Sequence, residues 1–287
     1  MPRLNQGRQR GIPEMMLYKY VPFERGRQIL EGSAVSFTRR EFFNDPFDFP
    51  AYPQEPQGDP VSGFFANVRA WAKAQTWAEH TGILSLTRTA ANPLMWSHYA
   101  DQHRGLVIGI DAVAAGLTEE SRNLIPAQYG SVIYVSRRLA APFITPPETG
   151  IAVGSTYHFP HDHYEKLQRL FLHKPLCWSY EEEVRVVKCL KGVEAEPNGT
   201  PSGSFEIIRH DGRATCCYRV PPSAIQELYV GLRAAPEAAN VLVDGAKARL
   251  PGLAVHDSFL ETGSFSIGFK PYGTAEETAV AHANEHA

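Results

Sequence analysis

The chain lacks any run of apolar residues approaching the roughly 20 that a bilayer crossing requires. Its opening, Met1 to Arg10, is polar and basic with no apolar segment behind it, so a cytoplasmic location and no membrane partner are expected. A basic excess is missing too. Lys and Arg number 28 against 31 Asp and Glu, the formal net charge is −3 and the pI about 6.4. No global positive field would therefore draw the chain onto nucleic acid or anionic lipid, although a local basic groove stays open as a route. Cysteine is scarce: Cys177, Cys189, Cys216 and Cys217 form no Cys-x-x-Cys pair, and adjacent Cys216 and Cys217 would point to opposite faces of a strand. Reduced, mostly packed thiols are expected, with no zinc site built on them. Neither Gly-x-Gly-x-x-Gly nor Gly-x-x-x-x-Gly-Lys-Ser/Thr occurs, which disfavours Rossmann and P-loop chemistry. There is no internal repeat.

What is present is the composition of an ordinary globular protein, with 43% hydrophobic and 21% charged residues among 287. The reading is of polar tails at 1–14 and 274–287 around one α+β domain at 15–273, with a mixed or antiparallel sheet and flanking helices. Met16 to Tyr20 alternates as a strand and stops at Pro22; Glu24 to Glu31 reads as a helix closed by Gly32, and Ala34 to Thr38 as a second strand. Asn44, Asp45 and Pro46 make a turn among phenylalanines. Helices are expected at Gly63–His80, Asn92–Gln102, His158–Leu172 and Ala234–Arg249, the last with Val241 and Leu242 inward. Ala140 to Ser155 is a proline-containing connection. Strands are expected at 83–87, 104–111, 132–135, 180–188, 205–208, 214–220, 225–230 and 263–269.

The densest signal is Trp178 to Val187, where charged and β-branched residues alternate after an aromatic entry. On a strand, Glu181, Glu183 and Arg185 would share one face and Val184 and Val186 the other. Two neighbouring carboxylates raise the proton affinity of at least one, and Arg185 pulls the other way. The plainer alternative is an edge strand whose charges deter aggregation or form a surface ion-pair ladder.

Four motifs in order, Leu17-Tyr18-Lys19-Tyr20, Phe43 to Asp48, Leu94 to Ala100 with His103 and Gly105, and Trp178 to Arg185, resemble the bacterial family called domain of unknown function 2971. The resemblance runs from about residue 16 to 233 and implies an association with phage-defence and abortive-infection loci. An aromatic-rich first strand, a short helix, a Gly, a second strand and a late glutamate-bearing strand are also similar to the ADP-ribosyltransferase superfamily. That looser resemblance implies an ADP-ribosyltransferase-like fold, NAD as substrate, and a nucleic-acid or protein acceptor, with room for a partner that neutralises the chain. In that superfamily the third residue of a Leu-Tyr-His opening contacts the cofactor ribose. Here the third place is Lys19, whose ammonium can still donate to a ribose hydroxyl or phosphate.

Cleaving the nicotinamide–ribose bond develops positive charge on the sugar, so a fixed carboxylate near the anomeric carbon is required. Glu183 is the first choice because Glu181 and Arg185 flank it, with the roles of Glu181 and Glu183 exchangeable on spacing. Tyr18, Tyr20, Trp96 and Tyr99 offer aromatic surface for the nicotinamide, and Lys19, Arg39 and Arg40 offer donors for phosphate. Against each stands a plainer role. Tyr18 and Tyr20 would pack a sheet, while Trp96 and Tyr99, three apart, would pair on a buried helix face. His98, Asp101 and His103 suggest metal ligands, but histidines five apart on a helix face different ways, and an Asp-Pro turn accounts for Asn44, Asp45 and Asp48. Two other functions compete. One is a magnesium-dependent nuclease, which would bring Asp45 or Asp48 within about 4 to 5 Å of Glu181 or Glu183 to share an ion. The other is a non-catalytic sensor or interaction module with the charge row as its binding face.

Overall fold

The computed structural model describes residues 15–43, 45, 47, 80–137, 167–168, 170–210 and 213–274. The expected helix at 63–80, the connection at 140–155 and most of the expected helix at 158–172 lie outside them, as do Asn44, Pro46 and Asp48. The elements follow in the order β1 (Met16–Val21), α1 (Phe23–Gly32), β2 (Ala34–Phe37), β3 (Thr81–Thr87), α2 (Pro93–Tyr99), β4 (Leu106–Asp111), β5 (Ile133–Val135), β6 (His173–Pro175), β7 (Glu183–Cys189), β8 (Phe205–His210), β9 (Arg213–Arg219), β10 (Ile225–Val230), α3 (Pro236–Arg249), β11 (Ala254–Leu260) and β12 (Ile267–Pro271). This is an α+β fold. Its main sheet has seven strands in the order β12-β11-β10-β4-β1-β3-β7, beside a three-stranded sheet β2-β9-β8 and a short parallel pair β5-β6. The main sheet is antiparallel except for β10 and β11, which run parallel and are joined through α3.

One face of the main sheet carries the larger core. Leu17 and Val21 of β1, Leu84 and Leu86 of β3, Leu106 and Ile108 of β4 and Val184 and Val186 of β7 meet Ile29 and Leu30 of α1 and Ala239, Leu242, Val243 and Ala246 of α3 there. Leu242 is buried but Val241 is 75% exposed, because successive helix positions diverge by about 100° and both cannot face one core. The residue that closes α1 is Ser33, in the left-handed conformation at φ 46°, not Gly32. On the opposite face α2 lays Met95 and the fully buried Trp96 over Tyr20, Val107 and Tyr229. That helix ends at Tyr99, short of the expected Gln102, because Asp101, Gln102 and His103 all take positive φ.

Strand β7 ends the sheet order, but its outer edge is covered. Leu124 N donates to Val187 O (2.8 Å), Arg185 N to Gly130 O (2.8 Å) and Val132 N to Glu183 O (3.0 Å). Gly130 is required at this crossing, since a Cβ there would stand 2.0 Å from the Arg185 carbonyl oxygen. The charged residues are not a solvated ladder: Glu183 is 5% and Arg185 and Lys188 are 0% exposed. Among the described residues no helix is long and apolar enough to cross a membrane. Of the cysteines, all free thiols, Cys216 and Cys217 are buried on opposite faces of β9, Cys189 is half-buried, and Cys177 is exposed.

Candidate functional site

Strands β1 and β3 are neighbours in the sheet but pair only at Tyr18 and Thr87. Beyond that point β3 turns to β2, with Thr38 and Ile83 exchanging hydrogen bonds of 2.9 Å. Where the strands part, the Lys19 ammonium donates to the Ser85 carbonyl (2.9 Å), and a pocket of about 120 Å³ opens. Tyr18, Lys19 and Tyr20 supply one wall of it, Ser85 to Thr87 another, and Met95 and Tyr99 of α2 a third. Glu181, Glu183 and Lys174 close the remaining side.

Glu181 does not belong to the charged strand, as its alternation with Glu183 and Arg185 had implied. It is the last residue of a 3₁₀ turn, Leu176–Glu181, and Glu182 then takes the left-handed conformation (φ 45°) before β7 begins at Glu183. The kink swings Glu181 off the strand yet leaves its carboxylate beside that of Glu183, because one lysine holds both. Lys174 of β6 donates to Glu181 Oε2 in a short contact and to Glu183 Oε2 at 3.1 Å. Tyr99 OH donates to the other Glu181 oxygen at 2.5 Å. Arg185 grips Glu183 with a fork, Nε to Oε1 at 2.9 Å and a terminal nitrogen to Oε2 at 3.1 Å, and its remaining arm donates to the Phe171 carbonyl at 2.7 Å. The two helices of the site are tied together by Asn92. Its oxygen caps α2 by accepting from Leu94 N (2.9 Å) and Met95 N (3.3 Å), while its nitrogen donates to Tyr180 O (2.6 Å), next to Glu181.

These surroundings drive the two carboxyls apart in proton affinity. Burial raises Glu181 above the ordinary glutamate range, and the Glu183 charge adds to it against the lowering pull of Lys174 and Tyr99. Burial also acts to raise Glu183, but there the Arg185 and Lys174 charges prevail and hold it down at about 2. Lys19 is brought down to about 8 by burial, with Glu183 opposing and Arg25 assisting. Tyr99 is pushed up by burial and by its bond to Glu181, so it stays a proton donor. Of the two carboxyls, Glu183 is thus the stronger acid and Glu181 the weaker.

Six of the ten residues assigned to the NAD site from the sequence, Tyr18, Lys19, Tyr20, Tyr99, Glu181 and Glu183, line this single pocket. Arg185 lies behind Glu183, and Trp96 does not reach the pocket. The indole is wholly buried, donates from Nε1 to Ala90 O (2.7 Å), and is enclosed by Tyr20 at 5.5 Å and a parallel His103 ring at 6.3 Å. Arg39 is taken up by Glu194. Lys174 was not anticipated; β6 is three residues long and shows no alternation that would mark it. Its one sequence signal is a basic residue seven positions before Glu181, in a segment flanked by hydrophobic residues. Among the described residues no three His, Cys, Asp or Glu side chains gather as a metal site, His98, Asp101 and His103 included. Asp45 turns its Oδ1 to the backbone of Phe47 (2.8 Å), the expected Asx turn.

No curated protein and no solved structure gives a significant match to the chain. Residues 95–186, from α2 to β7, match the family model described as Protein of unknown function (DUF2971). That span holds Tyr99, Lys174, Glu181, Glu183 and Arg185, so the chain is similar to this family through the acidic half of the pocket.

Proposed function

We propose that the protein cleaves the nicotinamide–ribose bond of NAD and passes the ADP-ribosyl group to an acceptor, water included, on an ADP-ribosyltransferase-like arrangement of its sheet. The observation that carries this reading is the division of labour between the two carboxyls. Paired titratable groups whose surroundings push their proton affinities apart separate an electrostatic role from an acid–base role. Glu183, anionic at every physiological pH, stabilises the ribosyl cation as the C–N bond breaks and its electron pair leaves with nicotinamide. Glu181 receives the proton that the acceptor oxygen or nitrogen releases as the new bond to the anomeric carbon forms. Tyr18, Tyr20 and Tyr99 give the nicotinamide aromatic walls, and Lys19 has N–H donors beyond the one bound to Ser85. At about 120 Å³ the pocket is well below the roughly 300 Å³ at which drug-sized ligand sites begin, so it takes the nicotinamide end and leaves the rest of the dinucleotide outside.

A magnesium-dependent nuclease is the weaker reading. Lys174 and Arg185 already occupy the space between and behind the carboxylates, where a divalent ion would have to displace an ammonium. The phage-defence setting, the cytoplasmic location and a neutralising partner belong to the same proposal, with nucleic acid or protein as acceptor. The deciding experiment incubates purified protein with NAD labelled on the adenylate, with DNA, RNA or protein added, beside E183Q, E181Q and a magnesium-chelated control. Nicotinamide release that E183Q abolishes supports the reading. Intact NAD with magnesium-dependent cutting of nucleic acid refutes it in favour of the nuclease, and inactivity in both assays leaves a binding module.

A further inference from the structure

On the sheet face that carries α2, Tyr18 of β1 is opposite Gly109 of β4, and Gly109 is opposite Glu227 of β10. The three positions form one row across three strands, with a glycine in the middle. A Cβ at Gly109 would stand 2.8 Å from Glu227 Cβ and 3.0 Å from its Oε2, so the Glu227 side chain lies over the bare backbone of β4. A bulge between Ile225 and Glu227 sets this register, leaving Gln226 as the extra residue, and bulges of this kind re-aim side chains beside functional sites. Glu227 Oε2 accepts from Tyr229 OH at 2.8 Å, and burial together with the nearby Glu227 charge raises the proton affinity of the Tyr18 hydroxyl. The Tyr18 and Tyr229 rings meet edge to face at 6.0 Å, and His256 stacks on Tyr229 at 4.8 Å.

The geometry points to the Glu227 carboxylate as a subsite for the vicinal diol of a ribose. A carboxylate offers about four acceptor positions and no donor. The Tyr229 hydroxyl uses one of them, and Glu227 is only half-buried, so positions on both oxygens remain for a ligand that brings a pair of neighbouring donors. Two hydroxyls on adjacent sugar carbons meet that need. Tyr18 belongs both to this group and to the wall of the pocket described above, so one ligand with a ring in the pocket and a sugar beyond it would span both. The subsite rests on the NAD reading and deepens it by assigning a ribose diol of the dinucleotide to Glu227.

The test titrates adenosine and 2′,3′-dideoxyadenosine into the wild-type protein, E227Q and G109A by calorimetry, with unfolding curves to show that each variant is folded. Wild type should bind the diol-bearing nucleoside about tenfold tighter, as expected for hydrogen bonds to a charged group. E227Q should lose that preference while keeping its affinity for the dideoxy compound; G109A, which displaces the carboxylate, should do the same if it folds. Equal affinities in wild type, no binding of either nucleoside, or a preference that survives in E227Q each overturn the subsite. Nicotinamide release measured in parallel separates the two ideas. Cleavage of NAD without a diol preference removes the subsite alone, and a diol preference without cleavage removes the catalytic reading alone.

Discussion

The Lys174 ammonium stands between Glu181 and Glu183 and donates to both, so one cation bridges two carboxylates that belong to different elements, with Arg185 on the far side of Glu183. The lysine and both glutamate side chains are at most 7% exposed. Removing one partner of a buried ion pair leaves an uncompensated charge, which costs about 3 to 5 kcal/mol. K174M should therefore lose stability of that order in urea unfolding at neutral pH. A loss under about 1 kcal/mol would mean that water reaches the pair and that Lys174 is not what joins it.

The acid limb of stability should be set by Glu183. Its carboxyl is depressed from an ordinary value of 4.5 to about 2 in the folded protein, so the unfolded chain binds the proton more readily. The resulting stabilisation is fully present above about pH 4.5 and is lost as pH falls toward 2, by at most about 3 kcal/mol. Glu181 is raised and acts in the opposite sense, favouring the folded state as pH drops toward 4.5. Unfolding free energies of wild type and E183Q measured from pH 6 to pH 2 should show a steeper fall for wild type below 4.5. Parallel curves would mean that Glu183 ionises the same way folded and unfolded.

How far the site could be read in advance depends on the range of the interaction that builds each piece. The alternation in β1 and β7 is local, and it placed Tyr18, Tyr20, Glu183 and Arg185 on their strands. The position of Glu181 depends on one backbone torsion, the left-handed Glu182, which a non-glycine residue gives no cause to expect. Lys174 reaches the site through the short β5-β6 pairing and Glu227 through a bulge in β10, both set by contacts distant in sequence. The edge reading of β7 was right in sheet order but wrong in exposure, because most of the covering segment, Leu124 to Ser131, carries no strand signal of its own. Strand β11 was missed for a similar reason: Ala254 to Leu260 interrupts its apolar positions with His256 and Asp257.

Tyr99 should set the working pH of Glu181. Its hydroxyl donates to the carboxylate at 2.5 Å and so favours the charged form, together with Lys174 and against burial. Y99F removes that donor and should raise the proton affinity of Glu181 further. Because the proposed base must be unprotonated, the acid limb of kcat/KM for ADP-ribosyl transfer should move to higher pH, with the rate recovering in alkaline buffer. A uniform loss of rate at every pH would assign Tyr99 to substrate contact instead of to Glu181.

Trp96 separates a packing role from a ligand-binding one. The indole is wholly buried, with its N–H on the Ala90 carbonyl and its faces against Tyr20 and His103, and it does not line the pocket. W96A should cost about 3 to 5 kcal/mol, the usual loss when a large aromatic is deleted from a core. W96F keeps most of the volume and forfeits one hydrogen bond, a loss nearer 1 to 2 kcal/mol. Folded W96F should therefore bind NAD with unchanged KM, whereas Y20A or Y18A should raise it, since those rings form the pocket wall. A several-fold rise in KM for W96F, with its unfolding midpoint little changed, would place the indole in contact with the nicotinamide and reverse the assignment.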